Sequence, residues 1–113
     1  MQTHSFSVEA AIRYGLTEAI MLQLLSSWLD ERSQDEDYFC WEGRPWLKLT
    51  MRQFQSELPY LSPFKLQTSL ELLQSCKLID IYDEKMENSL RRRKLMSYSL
   101  TERGYAITHK EDL

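Results

Sequence analysis

Ser62-Pro63-Phe64-Lys65-Leu66-Gln67-Thr68-Ser69-Leu70-Glu71-Leu72-Leu73 is the stretch around which the chain is organised. Ser62 suits a helix N-cap, because its hydroxyl can accept a bond from an orphan amide of the first turn. Pro63 suits the first helical position, where a missing N–H costs nothing. Leu66, Leu70 and Leu73 then recur at i, i+4 and i+7 and predict one buried stripe.

Just upstream, Thr50-Met51-Arg52-Gln53 matches the capping-box pattern and opens a short helix through Phe54 to about Glu57. Leu58-Pro59-Tyr60 breaks it, since the residue before a proline avoids the helical region. A short helix, a tight turn and a longer capped helix make a helix-turn-helix arrangement.

Further upstream, Tyr38-Phe39-Cys40-Trp41 and Pro45-Trp46-Leu47-Lys48 flank Glu42-Gly43-Arg44, which predicts a hairpin. Phe39 and Trp41 point to one face, Tyr38 and Cys40 to the other. Burying both faces is difficult in so small a domain, so one is a candidate oligomer contact. Asp30 to Asp37 is an acidic, solvated loop without the spacing or glycine of a calcium loop. Before it, Ile20, Leu24 and Trp28, joined by Met21 and Leu25, predict a long amphipathic helix. Thr17 is its expected N-cap, Glu18 lies in the first turn, and Leu16 with Met21 forms a candidate hydrophobic staple. Ser7 to Gly15 predicts a shorter helix, capped by Ser7 and ended by Gly15.

Downstream, Leu78-Ile79-Asp80-Ile81-Tyr82 predicts a strand, with Met96-Ser97-Tyr98-Ser99-Leu100 as its partner. A polar loop, Asp83 to Leu95, joins them. Thr101 caps a last short helix or turn through Arg103. The sequence thus predicts one domain over 1–113, with its core at about 6–105 and a frayed tail at 106–113. The expected class is α+β, mainly α, with a small antiparallel sheet and one wing.

Net charge is −3, which argues against coating nucleic acid by bulk charge. The distribution says more. Lys85, Arg91, Arg92, Arg93 and Lys94 stand against Glu87 within one loop, leaving the rest of the chain more acidic still. Four consecutive basic residues there suit phosphate contacts, which position a protein on DNA without reading sequence. No run of about 18 apolar residues predicts a membrane span. No secretory signal is evident, so the expected location is cytoplasmic, with Cys40 and Cys76 as reduced, packed thiols. His4 and His109 lie near opposite ends with no cysteine cluster, and no nucleophile–base pair or Gly-rich phosphate loop occurs. No metal, cofactor or catalytic residue is therefore expected, and the chain reads as a non-enzyme.

The order helix, helix, strand, short helix, recognition helix, strand, wing, strand is that of a winged helix-turn-helix. Leu24-Leu25-Ser26-Ser27-Trp28-Leu29, Gly43-Arg44-Pro45-Trp46, Leu58-Pro59-Tyr60-Leu61-Ser62, then Leu66, Leu70, Leu73, Leu78 and Ile79 go further. That series resembles the N-terminal winged-helix domain of phage replisome organisers and related primosomal replication-initiation proteins. Tyr98-Ser99-Leu100-Thr101-Glu102-Arg103-Gly104 resembles the second wing strand and exit of many winged-helix regulators. The resemblance covers about Phe6 to Tyr105 and implies duplex DNA binding and self-assembly, as in a homodimer. Three departures stand out. Lys77 occupies the turn where a glycine is usual. The further C-terminal domain of the replisome organisers does not follow, so the chain reads as a fragment or a stand-alone relative. The recognition helix from Ser62 to Ser75 is electrically neutral.

Two functions from different classes fit. In the first, a DNA-binding domain acts in replication initiation or primosome assembly of a phage, plasmid or bacterium. Lys65, Gln67 and Thr68 enter the groove, while Lys85, Arg91, Arg92, Arg93 and Lys94 hold phosphates, with Lys48 and Arg52 in support. In the second, the same fold is a protein-interaction module, a small transcriptional regulator or a phage-encoded inhibitor. Its partner, a replication or regulatory protein, would be bound through Phe64, Thr68 and Glu71 or through Phe39 and Trp41 of the hairpin. Phe64 is also expected to pack on the hairpin or the first helix.

Overall fold

A computed structural model of the chain describes residues 5–83 and 95–109. Five helices and four strands make an α+β protein, mainly α: α1 (Val8–Tyr14), α2 (Leu16–Glu31), β1 (Tyr38–Trp41), β2 (Arg44–Thr50), α3 (Met51–Glu57), α4 (Pro63–Ser75), β3 (Ile79–Tyr82), β4 (Leu95–Leu100) and α5 (Glu102–Thr108). The strands form one antiparallel sheet in the order β1-β2-β4-β3.

Local chemistry sets each boundary. Glu42 and Gly43 both have positive φ (51° and 75°), so β1 and β2 are joined by a two-residue turn whose twist matches the strands. The Thr50 capping box is complete: its hydroxyl accepts from the Gln53 amide at 3.3 Å, and its own amide donates to Gln53 Oε1 at 2.7 Å. Ser62 Oγ accepts from the Lys65 amide at 3.1 Å, with Pro63 in first position. Leu66, Leu70 and Leu73 are buried as the spacing predicts, with Ser69 between them.

The end of α4 closes by two backbone bonds, Leu78 N–H to Leu73 O and Lys77 N–H to Gln74 O, both 3.0 Å. This Schellman closure needs a left-handed residue, and Lys77 supplies it at φ 60°. A non-glycine residue there costs about 1–2 kcal/mol, while glycine's extra freedom in the unfolded chain costs somewhat less. Lys77→Gly is therefore expected to stabilise the domain by about 0.5–1 kcal/mol, read as a rise in urea midpoint at unchanged slope.

The core lies between α2, α3 and α4 and one face of the sheet. Phe54, fully buried, joins the layers: its ring is 5.3 Å from Trp28 of α2 and 5.2 Å from Tyr98 of β4. Burial pushes the Tyr98 phenol up to about 12. A pKa raised in the folded state favours the protonated fold. Stability is thus expected to hold up to about pH 10 and to fall between about pH 10 and 12. Denaturation across that range should show the fall, and Tyr98→Phe should flatten it.

Several expectations are corrected. Helix α2 begins at Leu16, with Gly15 (φ 114°) ending α1 and opening α2, so Thr17 lies inside the helix and is not its cap. Leu16 is more than half exposed and does not staple Met21. The fully buried stripe is Met21, Leu22 and Leu25 with Leu29, which leaves Ile20 and Trp28 half-buried at its edge. The shift follows from α4 packing on this side of α2, which also buries Glu18. Its carboxylate leaves solvent to accept from Ser69 Oγ of α4 at 3.2 Å.

The last helix was expected to stop near Arg103 and instead runs to Thr108. Thr101 caps it at the Gly104 amide (3.0 Å) and donates to the Lys77 carbonyl at 2.7 Å. His109 Nε2 lies 2.9 Å from Asp30 Oδ2 at the end of α2, so 106–109 is docked rather than frayed. Residues 110–113 of the expected tail lie outside the described residues.

Candidate nucleic-acid interface

Helix α4 buries its leucine stripe and turns the opposite face outward. There Phe64 is 78% exposed, and Lys65 and Glu71 are exposed beside it. The expected packing of Phe64 on the hairpin or the first helix does not occur, because the leucines two and six positions on take the core side and leave position 64 pointing away. Thr68 is half-buried and donates its hydroxyl to the Lys65 carbonyl at 3.1 Å. Gln67 donates to Glu71 Oε1 at 3.1 Å, one turn along the helix. Gln67 also lines a cavity of about 210 Å3 between α4, Met51 of α3, and Ile81 and Met96 of the β3–β4 pair.

Helix α4 and the β3–β4 stem therefore stand on two sides of one cleft. The chain between Tyr82 and Leu95 leaves and re-enters the sheet at the end where Ile81 and Met96 line that cleft. Lys85, Arg91, Arg92, Arg93 and Lys94 lie on this connection, outside the described residues. Arg52 is exposed in the first turn of α3, next to the cleft residue Met51. Of the expected groove residues, Gln67 therefore lines the cleft, while Thr68 faces outward and Lys65, two positions from Gln67, lies on the opposite flank of α4, toward α2.

Lys48 lies elsewhere. Its neighbours Leu47 and Leu49 are fully buried toward the helices, so strand alternation sends Lys48 to the other face of the sheet. There its Nζ lies 5.6 Å from the centre of the Phe39 ring.

That outer face carries a cluster only half anticipated by the sequence. Phe39 stacks on Trp46 (6.3 Å, 13°), Trp41 meets Trp46 edge-on (5.7 Å), and Trp41 reaches Tyr82 (6.1 Å). Trp46 is 3% exposed, and its Nε1–H donates to the Trp41 carbonyl at 3.3 Å. The Arg44 guanidinium lies 4.9 Å over the Trp46 ring, pairs with Asp80 at 2.8 Å and donates to the Leu100 carbonyl at 3.1 Å. The legible signal was the small residues Ser97 and Ser99 alternating in β4, which leave room for an indole to lie across the sheet.

Elsewhere the acidic loop is tied by Arg32, whose Nε and Nη2 both donate to Asp35 Oδ2 (3.1 and 2.9 Å). The Asp37 amide donates to the other Asp35 oxygen, and it and Arg32 hold that carboxyl below its ordinary range. Among the described residues no three His, Cys, Asp or Glu side chains converge as a metal site. Cys40 and Cys76 are free thiols; Cys40 is exposed, not packed, because it sits on an edge strand. Among the described residues no helix is long and apolar enough to cross a membrane.

Compared with protein-family models, with curated proteins and with solved structures, the chain matches none.

Proposed function

We propose that this chain is a winged-helix domain that binds duplex DNA through α4 and the β3–β4 connection. The observation that carries the reading is the shared cleft. A helix capped at both ends and buried on its leucine side sets Gln67 on the cleft beside a two-stranded stem, with Thr68 on its outward face and Lys65 on its far flank. The connection on that stem holds five basic residues against two acids over 84–94. In such an arrangement the helix enters the major groove and the wing holds flanking phosphates. The neutral helix contributes little Coulomb attraction, so the wing supplies most of the affinity and α4 the orientation. By its resemblance to replisome-organiser and primosomal proteins, the domain acts in replication initiation or primosome assembly. Fluorescence anisotropy with a labelled duplex tests it: binding should weaken steeply with salt, because phosphate neutralisation releases counterions.

A second reading is favoured by one observation. Phe64 and Leu72, two turns apart on α4, are 78% and 41% exposed, and apolar anchors at that spacing fit a protein groove. In that reading the same fold docks a replication or regulatory protein, and loss of a captured partner on Phe64→Ala with unchanged duplex affinity would select it.

A further inference from the structure

The outer face of the sheet is left uncovered by every described helix. The register places Phe39 and Trp41 of β1, Arg44, Trp46 and Lys48 of β2, and Asp80 and Tyr82 of β3 on that side, with Ser97 and Ser99 beneath them. Trp41 and Tyr82 are 50% and 51% exposed, although they sit in ring contact at 6.1 Å. Half-exposed aromatic rings held rigidly side by side on a sheet give up surface to water that any flat apolar partner would reclaim.

We infer that this face is a stacking platform for single-stranded nucleic acid. Two features select that occupant. The rings offer π-faces, which suit any unpaired base, whereas paired bases hide theirs within the duplex stack. The charge on the face is also complementary to phosphate. Asp80, the one acid that the register places there among the described residues, is already held by Arg44 at 2.8 Å. Lys48 lies 5.6 Å from the Phe39 ring, at the border of the cluster, as a point charge for a backbone that follows stacked bases.

The platform is separate from the duplex surface. Helix α4 packs on the opposite, leucine-bearing side of the sheet, so the two surfaces point away from each other. A protein with both would hold a duplex on one side and an opened strand on the other. The mechanism of retention is stacking, with modest salt dependence, in contrast to the phosphate-driven grip proposed for α4 and its wing.

The test is a titration of the full chain with a 5′-labelled 15-mer of thymidylate, read by anisotropy and by tryptophan emission. The expected result is quenching of the indole emission on binding. Trp41→Ala and Tyr82→Ala should each weaken affinity by roughly tenfold, in line with the loss of about one stacked base. Tyr82→Phe, which keeps the ring, should retain binding. Lys48→Gln should lower the salt slope by about 0.7, the value of one single-strand phosphate contact. Far-ultraviolet dichroism and melting of each variant establish that it is folded; Trp41 and Tyr82 are both half-exposed at strand ends. Binding without quenching, or affinity unchanged in a folded Tyr82→Ala, overturns the inference. So does a dimer that Tyr82→Ala dissociates while thymidylate affinity stays the same. Lys65→Ala should weaken duplex binding and leave thymidylate binding intact, so the two surfaces fail or succeed independently.

Discussion

Gly104→Ala is expected to lower the unfolding free energy by about 2–3 kcal/mol, and the melting temperature by roughly 10 °C. Two opposing effects meet at this residue. Gly104 lies inside α5, where alanine is intrinsically better by about 1 kcal/mol. A Cβ on Gly104, however, would overlap the backbone carbonyl oxygen of Leu78, while meeting Leu100 Cδ2 only at ordinary contact distance, 3.5 Å. A flexible side chain could yield; the Leu78 carbonyl cannot. It also accepts the Thr101 amide at 3.1 Å, and it follows the left-handed Lys77 that closes α4. Overpacking against fixed backbone lies at the upper end of its usual range, so the clash outweighs the propensity gain. The displacement reaches α4, because α5, the end of α4 and the start of β3 share this knot. Chemical denaturation checks it. A stabilised Gly104→Ala would mean that α5 does not seat against Leu78.

The second large effect concerns binding. Arg91, Arg92 and Arg93 changed together to alanine are expected to reduce duplex affinity several hundredfold at about 0.1 M salt. Each phosphate contact on B-form DNA contributes about 0.9 to the logarithmic salt slope, or close to tenfold at that concentration. Three lost contacts lower the slope by about 3, and the urea midpoint of the variant, measured beside the wild type, checks that it is folded. Lys65→Ala should cost far less, about one contact. A triple variant that binds as wild type would place the affinity elsewhere. Anisotropy at several salt concentrations gives both numbers.

Residues that act locally were legible in the sequence. The Ser62-Pro63 start of α4, the Thr50–Gln53 capping box and the Glu42-Gly43 turn depend on three or four adjacent residues, so their chemistry is written in order. The same holds for the leucine stripe of α4, whose period is its own. Features that depend on a distant partner were not legible. Thr17 looked like a cap, and Glu18 does lie in the first turn as expected, but nothing nearby in the sequence reveals that it is also buried against Ser69 of α4. Gly104 looked like the end of a turn, because its close neighbour Leu78 lies 26 positions upstream. The leucine period turns Phe64 outward in the sequence, but only the fold shows that neither the hairpin nor the first helix reaches round to cover it.

For the site, the sequence grouped Lys48 with Lys65, Gln67, Thr68 and Arg52 as expected DNA contacts, and the structure sets Lys48 on the other face of the sheet. A strand's two faces are distinguishable by alternation, but which face meets the helices depends on the fold. The aromatic cluster was half visible for the same reason. Phe39 and Trp41 stood out, while Tyr82 joins them only because β3 is placed two strands from β2, across β4.

The central claim is that duplex DNA lies against α4. Amide chemical-shift mapping of the isotope-labelled chain, titrated with a generic duplex at low salt, tests it most directly. The account predicts shifts at Ser62 to Glu71, at Arg52 and at Lys85 to Lys94, with the sheet residues Phe39, Trp41 and Trp46 unmoved. Shifts absent from α4, or confined to the outer face of the sheet, would contradict it.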